Sequence, residues 1–226
     1  MNLILQHWSG PMPEIVERSW GNVSLYADHV GAYYQMRHGD AFDGRLSAPC
    51  QKLVMLEEDY DDFDTVVMLD ADMFTRTSES IFDVEGVGIS TPYQADIFAR
   101  MGRTLPELTD TRYPYWGGAI WKLTREMRQE FRSHLTDDIV QAFSGQGNFE
   151  DEGIMHRLAT MADYKTDTFI PERWSWASYD EDSIEDAAMI HVRARKVPWG
   201  CGVPKRDATG TKIENYRALV ERGILS

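Results

Sequence analysis

The residues best suited to chemistry stand in the segment DYDDFDTVVMLDADMF, where the apolar run Thr65 to Leu69 ends in Asp70-Ala71-Asp72. Two carboxylates delivered together by a buried strand offer hard oxygen donors, and such donors suit Mg²⁺ or Mn²⁺ bridging to phosphate oxygens. Ligands of open α/β sheets settle beyond the carboxyl ends of the strands, which is where these acids fall. A bare D-x-D is often only a solvated turn. Here four apolar residues precede the pair and Met73-Phe74 follow it, so the acids sit at the delivery end of a buried strand.

Charge sharpens this reading. The 226 residues include 37 acidic and 23 basic side chains, a net charge of -14. A field of that sign repels phosphate backbones and anionic membranes, which argues against a nucleic-acid partner. A small phosphorylated ligand would need the sign reversed locally, by a metal ion or by a basic cluster. Arg193, Arg195 and Lys196 form such a cluster late in the chain.

These groups have to be positioned by the surrounding elements. Asn2 to His7, Ala32 to Arg37, Thr65 to Leu69, Val87 to Ser90, Gly118 to Leu123, Asp167 to Ile170 and Ala188 to Val192 read as strands. Helical patterns begin near Glu14, follow Pro49 with Leu53, Leu56 and Tyr60 near one face, and recur at 124–135, 136–143, 149–162 and 211–222. Thr124, Thr136 and Asn148 suit N-caps and Gly223 suits a helix stop. Residues 92–116, rich in Pro, Gly and Tyr, and residues 171–187 read as long irregular loops. The alternation predicts an α/β fold with a mostly parallel central sheet flanked by helices. The length predicts one large domain, residues 1–205, with residues 206–226 a helical tail packed on it.

Other residues carry less signal. Gly117 and Gly118 open a strand, either for a bulge or for close approach of a ligand to the backbone. Glu150, Asp151 and Glu152 fall in a first helical turn, where negative charge complements the helix dipole. Cys50 and Cys201 are too few for a disulfide framework, and no run approaches the ~20 apolar residues of a membrane span, so a cytoplasmic protein is expected.

Several motifs, taken in order, resemble glycosyltransferases of the GT-A fold, in particular the retaining family 8 type. They are YDDFDTVVMLDADMF, WGGAIWKL, the acidic helix start NFEDEGIM, and MIHVRARKVPW, whose lysine stands one position earlier than in the family. The resemblance implies a nucleoside-diphosphate sugar donor, UDP-linked, and transfer of its sugar to a glycan or other hydroxyl acceptor. It implies Mn²⁺ or Mg²⁺ held by Asp70, Asp72 and His191. It also implies donor contacts from His7, Trp8, Lys52, Asp70, Gly117, Gly118, Arg193 and Lys196, with Asp151 or Glu152 beside the reacting sugar. Two rivals share parts of the pattern. One is a haloacid-dehalogenase-like phosphatase, whose motif carries Thr or Val where this chain has Phe74. The other is an inert protein that binds sugar or nucleotide-sugar without turnover.

Overall fold

The computed structural model describes residues 1–89, 92–146, 150–165, 172–177, 184–193 and 211–226. Its strands are β1 (Asn2–Trp8), β2 (Tyr33–His38), β3 (Thr65–Leu69), β4 (Met73–Thr75), β5 (Gly88–Ile89), β6 (Gly117–Thr124), β7 (Trp176–Ala177) and β8 (Met189–His191). Its α-helices are α1 (Glu14–His29), α2 (Pro92–Thr104), α3 (Arg125–His134), α4 (Asp137–Phe143), α5 (Glu150–Met161) and α6 (Lys212–Glu221). The central sheet has the order β2-β1-β3-β6-β5. Parallel pairing of β1 with β2 and β3, and antiparallel pairing of β6 with β3 and β5, set β6 running against the other four strands. The expected α/β architecture with a mostly parallel sheet is what the chain forms.

Alternation along the strands builds a core on each face of this sheet. Leu3, Leu5, Val66, Met68 and Trp121 pack with Phe131, Phe143 and Leu158 of α3, α4 and α5. Ile4, Val67, Leu69 and Ile120 point the other way, onto Val23, Tyr26 and Ala27 of α1. Burying each such side chain contributes roughly 1.5–3 kcal/mol. A second sheet, β4-β8-β7, stands beside the first. Phe74 and Ile190 from it form a third cluster with Val16 of α1 and Tyr216 and Leu219 of α6, and the Phe74 and Tyr216 rings stack at 4.9 Å.

Local chemistry sets the boundaries. Thr124 and Thr136 cap α3 and α4 by accepting from the N–H groups of Met127 and Ile139, and Thr211 with Glu214 forms a capping box on α6. Gly223, at φ 68°, ends α6 in the left-handed conformation that glycine adopts without strain. Two expectations fail. The segment after Pro49 forms two 3-10 helices, Ala48–Leu56 and Glu58–Tyr60, because Glu57 between them is extended. Residues 92–104 form α2 where a loop was expected, with Phe98, Met101 and Leu105 directed to the core. Ser90, the cap at Asn148, the strand Asp167 to Ile170 and the 205/206 boundary lie outside the described residues. Among the described residues no helix is long and apolar enough to cross a membrane.

Candidate functional site

Sheet register brings the chemistry to one edge. β1 and β3 are parallel with Gln6 opposite Leu69, so both strands end side by side and His7 comes level with Asp70. Because β6 runs the other way with Ile120 opposite Leu69, its beginning lies beside the same end, and the Asp70 N–H donates to Ala119 O at 3.0 Å. The chain then turns sharply, with Met73 N–H donating to Asp70 O at 3.1 Å, and enters β4. Antiparallel pairing of β4 with β8 sets His191 opposite Met73, and Val192 N–H donates to Asp72 O at 3.0 Å. The small second sheet therefore carries a distant histidine to the two aspartates.

One ligand atom from each of Asp70, Asp72 and His191 lies within 4.8 Å of the other two. His191 Nε2 is 3.4 Å from Asp70 Oδ2 and 3.1 Å from Asp72 Oδ1. Two carboxylates and one imidazole form a donor set that fits a divalent cation. Burial opposes ionisation of Asp72, but His191 and the ammonium of Lys212 outweigh it and hold the carboxyl below its ordinary range. Lys212 Nζ is hydrogen-bonded to Asp72 Oδ2, a protein cation standing where positive charge is demanded. Arg193 Nε donates to His191 Nδ1 at 3.0 Å, so a neutral ring carries its proton on Nε2, facing the carboxylates. A divalent ion held through Nε2 would need the neutral ring to carry its proton on Nδ1 instead, in place of the Arg193 bond.

Beside the triad lies a buried charge hub. Lys52 Nζ donates to Asp70 Oδ1 at 2.9 Å, to Asp151 Oδ2 at 2.8 Å and to Gly118 O at 2.6 Å. An ammonium has three N–H donors, and all three are taken by protein atoms. Lys52 thus positions Asp70 and Asp151, where the sequence placed it on the donor. Burial pulls against its charge, yet Asp151 and Asp70 hold the proton above the usual lysine range. The three acids at the start of α5 divide their work. Glu150 accepts from the N–H groups of Ser47 and Gly145, Asp151 takes Lys52, and Glu152 Oε1 accepts from Gly118 N–H at 2.9 Å.

Gly118 is required at the hub. A Cβ there would lie 2.5 Å from Lys52 Nζ and 2.6 Å from Asp151 Oδ2, and both groups are fixed by their other bonds. Gly118→Ala should therefore cost about 1–3 kcal/mol, the usual range for overpacking, read as a lower urea midpoint with an unchanged slope. Gly117 opens β6 opposite Ile89, where the register shifts irregularly.

A cavity of about 680 Å³ opens over these groups, within the range of small-molecule sites. Its polar floor is Asp70, Asp72, Gly118, Asp151 and Glu152, with Lys52, Arg193 and Lys212 as cations. Its apolar wall includes Trp8, Pro13, Val16, Ala48 and Pro49. Trp8 is half-buried, and its indole N–H donates to Pro11 O at 3.0 Å. His7 lines the same end, with Nε2 2.6 Å from Gly39 O, and burial lowers its pKa. Arg195 and Lys196 lie outside the described residues. The sequence reading missed Lys212, because its place beside Asp72 arises only from tertiary packing of α6; the capping box at Thr211 marks the helix but says nothing about its target.

No protein-family model matches the sequence, and no curated protein matches it. Solved structures do. The galactosyltransferase LgtC in complex with donor and acceptor sugar analogs aligns over 100% of this chain and 96% of its own, with a TM-score of 0.58 and 12% identity. An active-site mutant of LgtC aligns over 98% of this chain and 96% of its own, with a TM-score of 0.59 and 14% identity. The chain has the GT-A fold. A glycosyltransferase involved in the glycosylation of the major capsid of PBCV-1 is also similar, with a TM-score of 0.56 and 9% identity over 97% of this chain and 98% of its own. At these identities the likeness is one of GT-A architecture, and the chemistry rests on the side chains described above.

Proposed function

We propose that this GT-A protein is a metal-dependent glycosyltransferase that takes a hexosyl group from a UDP-sugar and passes it, with retention of configuration, to a hydroxyl of a glycan or another acceptor. The observation that carries the reading is the Asp70–Asp72–His191 triad, whose two aspartates line a cavity shared with the Lys52–Asp151 pair and Glu152. When bound at the triad, Mn²⁺ or Mg²⁺ supplies the positive charge that binds a diphosphate and stabilises it on departure. Lys212 and Arg193 add cationic charge on the same side of the cavity, with Lys196 further along the chain. His7 and Trp8 flank the nucleoside, and Gly117 and Gly118 let the sugar approach the backbone of β6. Asp151 and Glu152 stand beside the transferred sugar. The reading places the protein in the cytoplasm, in keeping with Cys50, which is free and buried.

A donor panel tests this. Incubated with Mn²⁺, the protein should slowly hydrolyse at least one UDP-hexose, the first hexose released should keep the donor's anomeric configuration by NMR, and EDTA should stop the reaction. A panel of UDP-, GDP- and ADP-sugars left intact, with or without Mn²⁺ and an acceptor mixture, would overturn it. Covalent trapping of Asp70 by beryllium fluoride would favour the phosphatase instead.

A further inference from the structure

Gln6 interrupts the apolar run of β1 with an amide that is fully buried. Residues two apart share a face of a strand, so Gln6 points the way Ile4 does, towards α1. Burying an amide is costly unless its oxygen and both N–H groups are matched. Here each finds a partner. Asp70 O can only accept, which turns the amide nitrogen towards it, and Nε2 donates to Asp70 O at 3.0 Å and to Ser19 Oγ at 2.9 Å. The Tyr34 hydroxyl donates to Gln6 Oε1 at 2.7 Å. Ser19, also fully buried, gives its own hydroxyl hydrogen to Met73 O at 2.6 Å.

This chain of bonds ends on the two carbonyls that bracket the turn between the aspartates. Asp70 O accepts from Gln6 as well as from Met73 N–H across the turn, and Met73 O is held by Ser19. Asp72 lies between the two anchored residues. Met73 stands opposite His191 in the pairing of β4 with β8, and β4 is an edge strand of the small sheet. On its other side, side chains of α1 do the work of a neighbouring strand. Ser19 takes Met73 O, and one turn on, Asn22 Oδ1 accepts Thr75 N–H at 2.6 Å while Nδ2 donates to Thr75 O at 3.2 Å. Residues three apart lie together on a helix surface, so one face of α1 grips β4 along its length.

We propose that Gln6 and Ser19 are positioning residues for the divalent ion: by pinning the carbonyls of Asp70 and Met73 they hold the Asp70–Asp72 turn against β8, and so keep both carboxylates within ligand distance of His191. The inference rests on the metal-dependent reading and names what enforces its geometry. Neither side chain is among the described residues that line the cavity, so each acts through the backbone of the turn.

Uptake of Mn²⁺ at a fixed UDP concentration tests this, read by electron paramagnetic resonance with a protein-free UDP blank subtracted. Wild type, Gln6→Met, Ser19→Ala and Thr124→Ala are compared at a temperature where circular dichroism shows each folded. Gln6→Met keeps the length of the side chain and removes the donors to Asp70 O and Ser19. Ser19→Ala removes the donor to Met73 O with a small change in volume. Thr124→Ala is the control for lost stability alone: it deletes the cap of α3 where β6 pairs with Thr65, at the far end of β3 from Asp70. Groups that support a metal's ligands typically carry about 10–100-fold of its affinity, so the Mn²⁺ dissociation constant should rise at least about tenfold in Gln6→Met, about fivefold in Ser19→Ala and less than about twofold in Thr124→Ala. If Gln6→Met and Ser19→Ala bind as tightly as wild type, the inference is overturned and the transferase reading stands. An equal weakening in Thr124→Ala overturns it too, because the effect then belongs to stability. Should Gln6→Met not fold, Ser19→Ala decides alone. A wild type that takes up no Mn²⁺ removes both the inference and the reading it rests on.

Discussion

Lys52→Met should lower stability by about 3–5 kcal/mol and abolish sugar transfer. The substitution keeps much of the side-chain volume but leaves Asp70 and Asp151 facing each other without the ammonium that joins them at 2.9 and 2.8 Å. Lys52 is only 5% exposed, so water cannot replace it, and removing one partner of a buried ion pair carries a cost of that size. For a chain of this length the loss corresponds to a fall in melting temperature on the order of 10 °C. Urea unfolding and thermal scans measure it. A variant as stable as wild type would show that the hub is not what holds the two acids together.

Asp72→Asn should behave in the opposite way, with a much smaller loss of stability and at least about a hundredfold less metal-dependent turnover. The amide preserves shape, and although the Asp72 side chain is buried, its Lys212 partner is roughly half exposed, at 48%, and His191 keeps Asp70 at 3.4 Å, so the loss should be on the order of 1–2 kcal/mol, well below that at Lys52. Removing a direct ligand should cost at least as much as the ~10–100-fold typical of changes to the groups that merely support a metal's ligands. Acid sensitivity provides a second check. The folded-state pKa of Asp72 is depressed below 3.8, so its contribution is present above that value and lost as pH falls through the folded one. In Asp72→Asn that segment of the acid limb should be missing. A variant that unfolds like Lys52→Met, or turns over like wild type, would contradict this division between hub and metal site.

What the sequence revealed and what it hid follow from the reach of local signals. Thr65 to Leu69 was legible to the residue because both its faces are buried, giving a continuous apolar run bounded by acids. The caps at Thr124 and Thr136 were legible because they act within one turn. Helix α2 was obscured because Pro92, Gly102 and nearby tyrosines suggested a loop, although Phe98, Met101 and Leu105 already carried a helical period. Strands β4 and β7, three and two residues long, are too short for any alternation to register. At the site, Asp70 and Asp72 announced themselves by following a buried strand. That His191 meets them depends on the pairing of β4 with β8, and that Lys212 meets Asp72 depends on the packing of α6 against α1 and the small sheet. Neither partnership leaves a local trace. The threefold use of the Lys52 ammonium was likewise invisible, because Asp151 and Gly118 reach it only after the sheet has closed.

The proposed function requires Asp70, Asp72 and His191 to hold a divalent ion together. Electron paramagnetic resonance of Mn²⁺ titrated into the protein with UDP tests it directly, since the signal of the free aquo ion falls as the ion is taken up. Wild type should remove one equivalent of Mn²⁺ from the free signal, and Asp72→Asn and His191→Ala, both folded, should not. A wild-type protein that leaves the free signal intact, or variants that take up the ion as tightly as wild type, would contradict it.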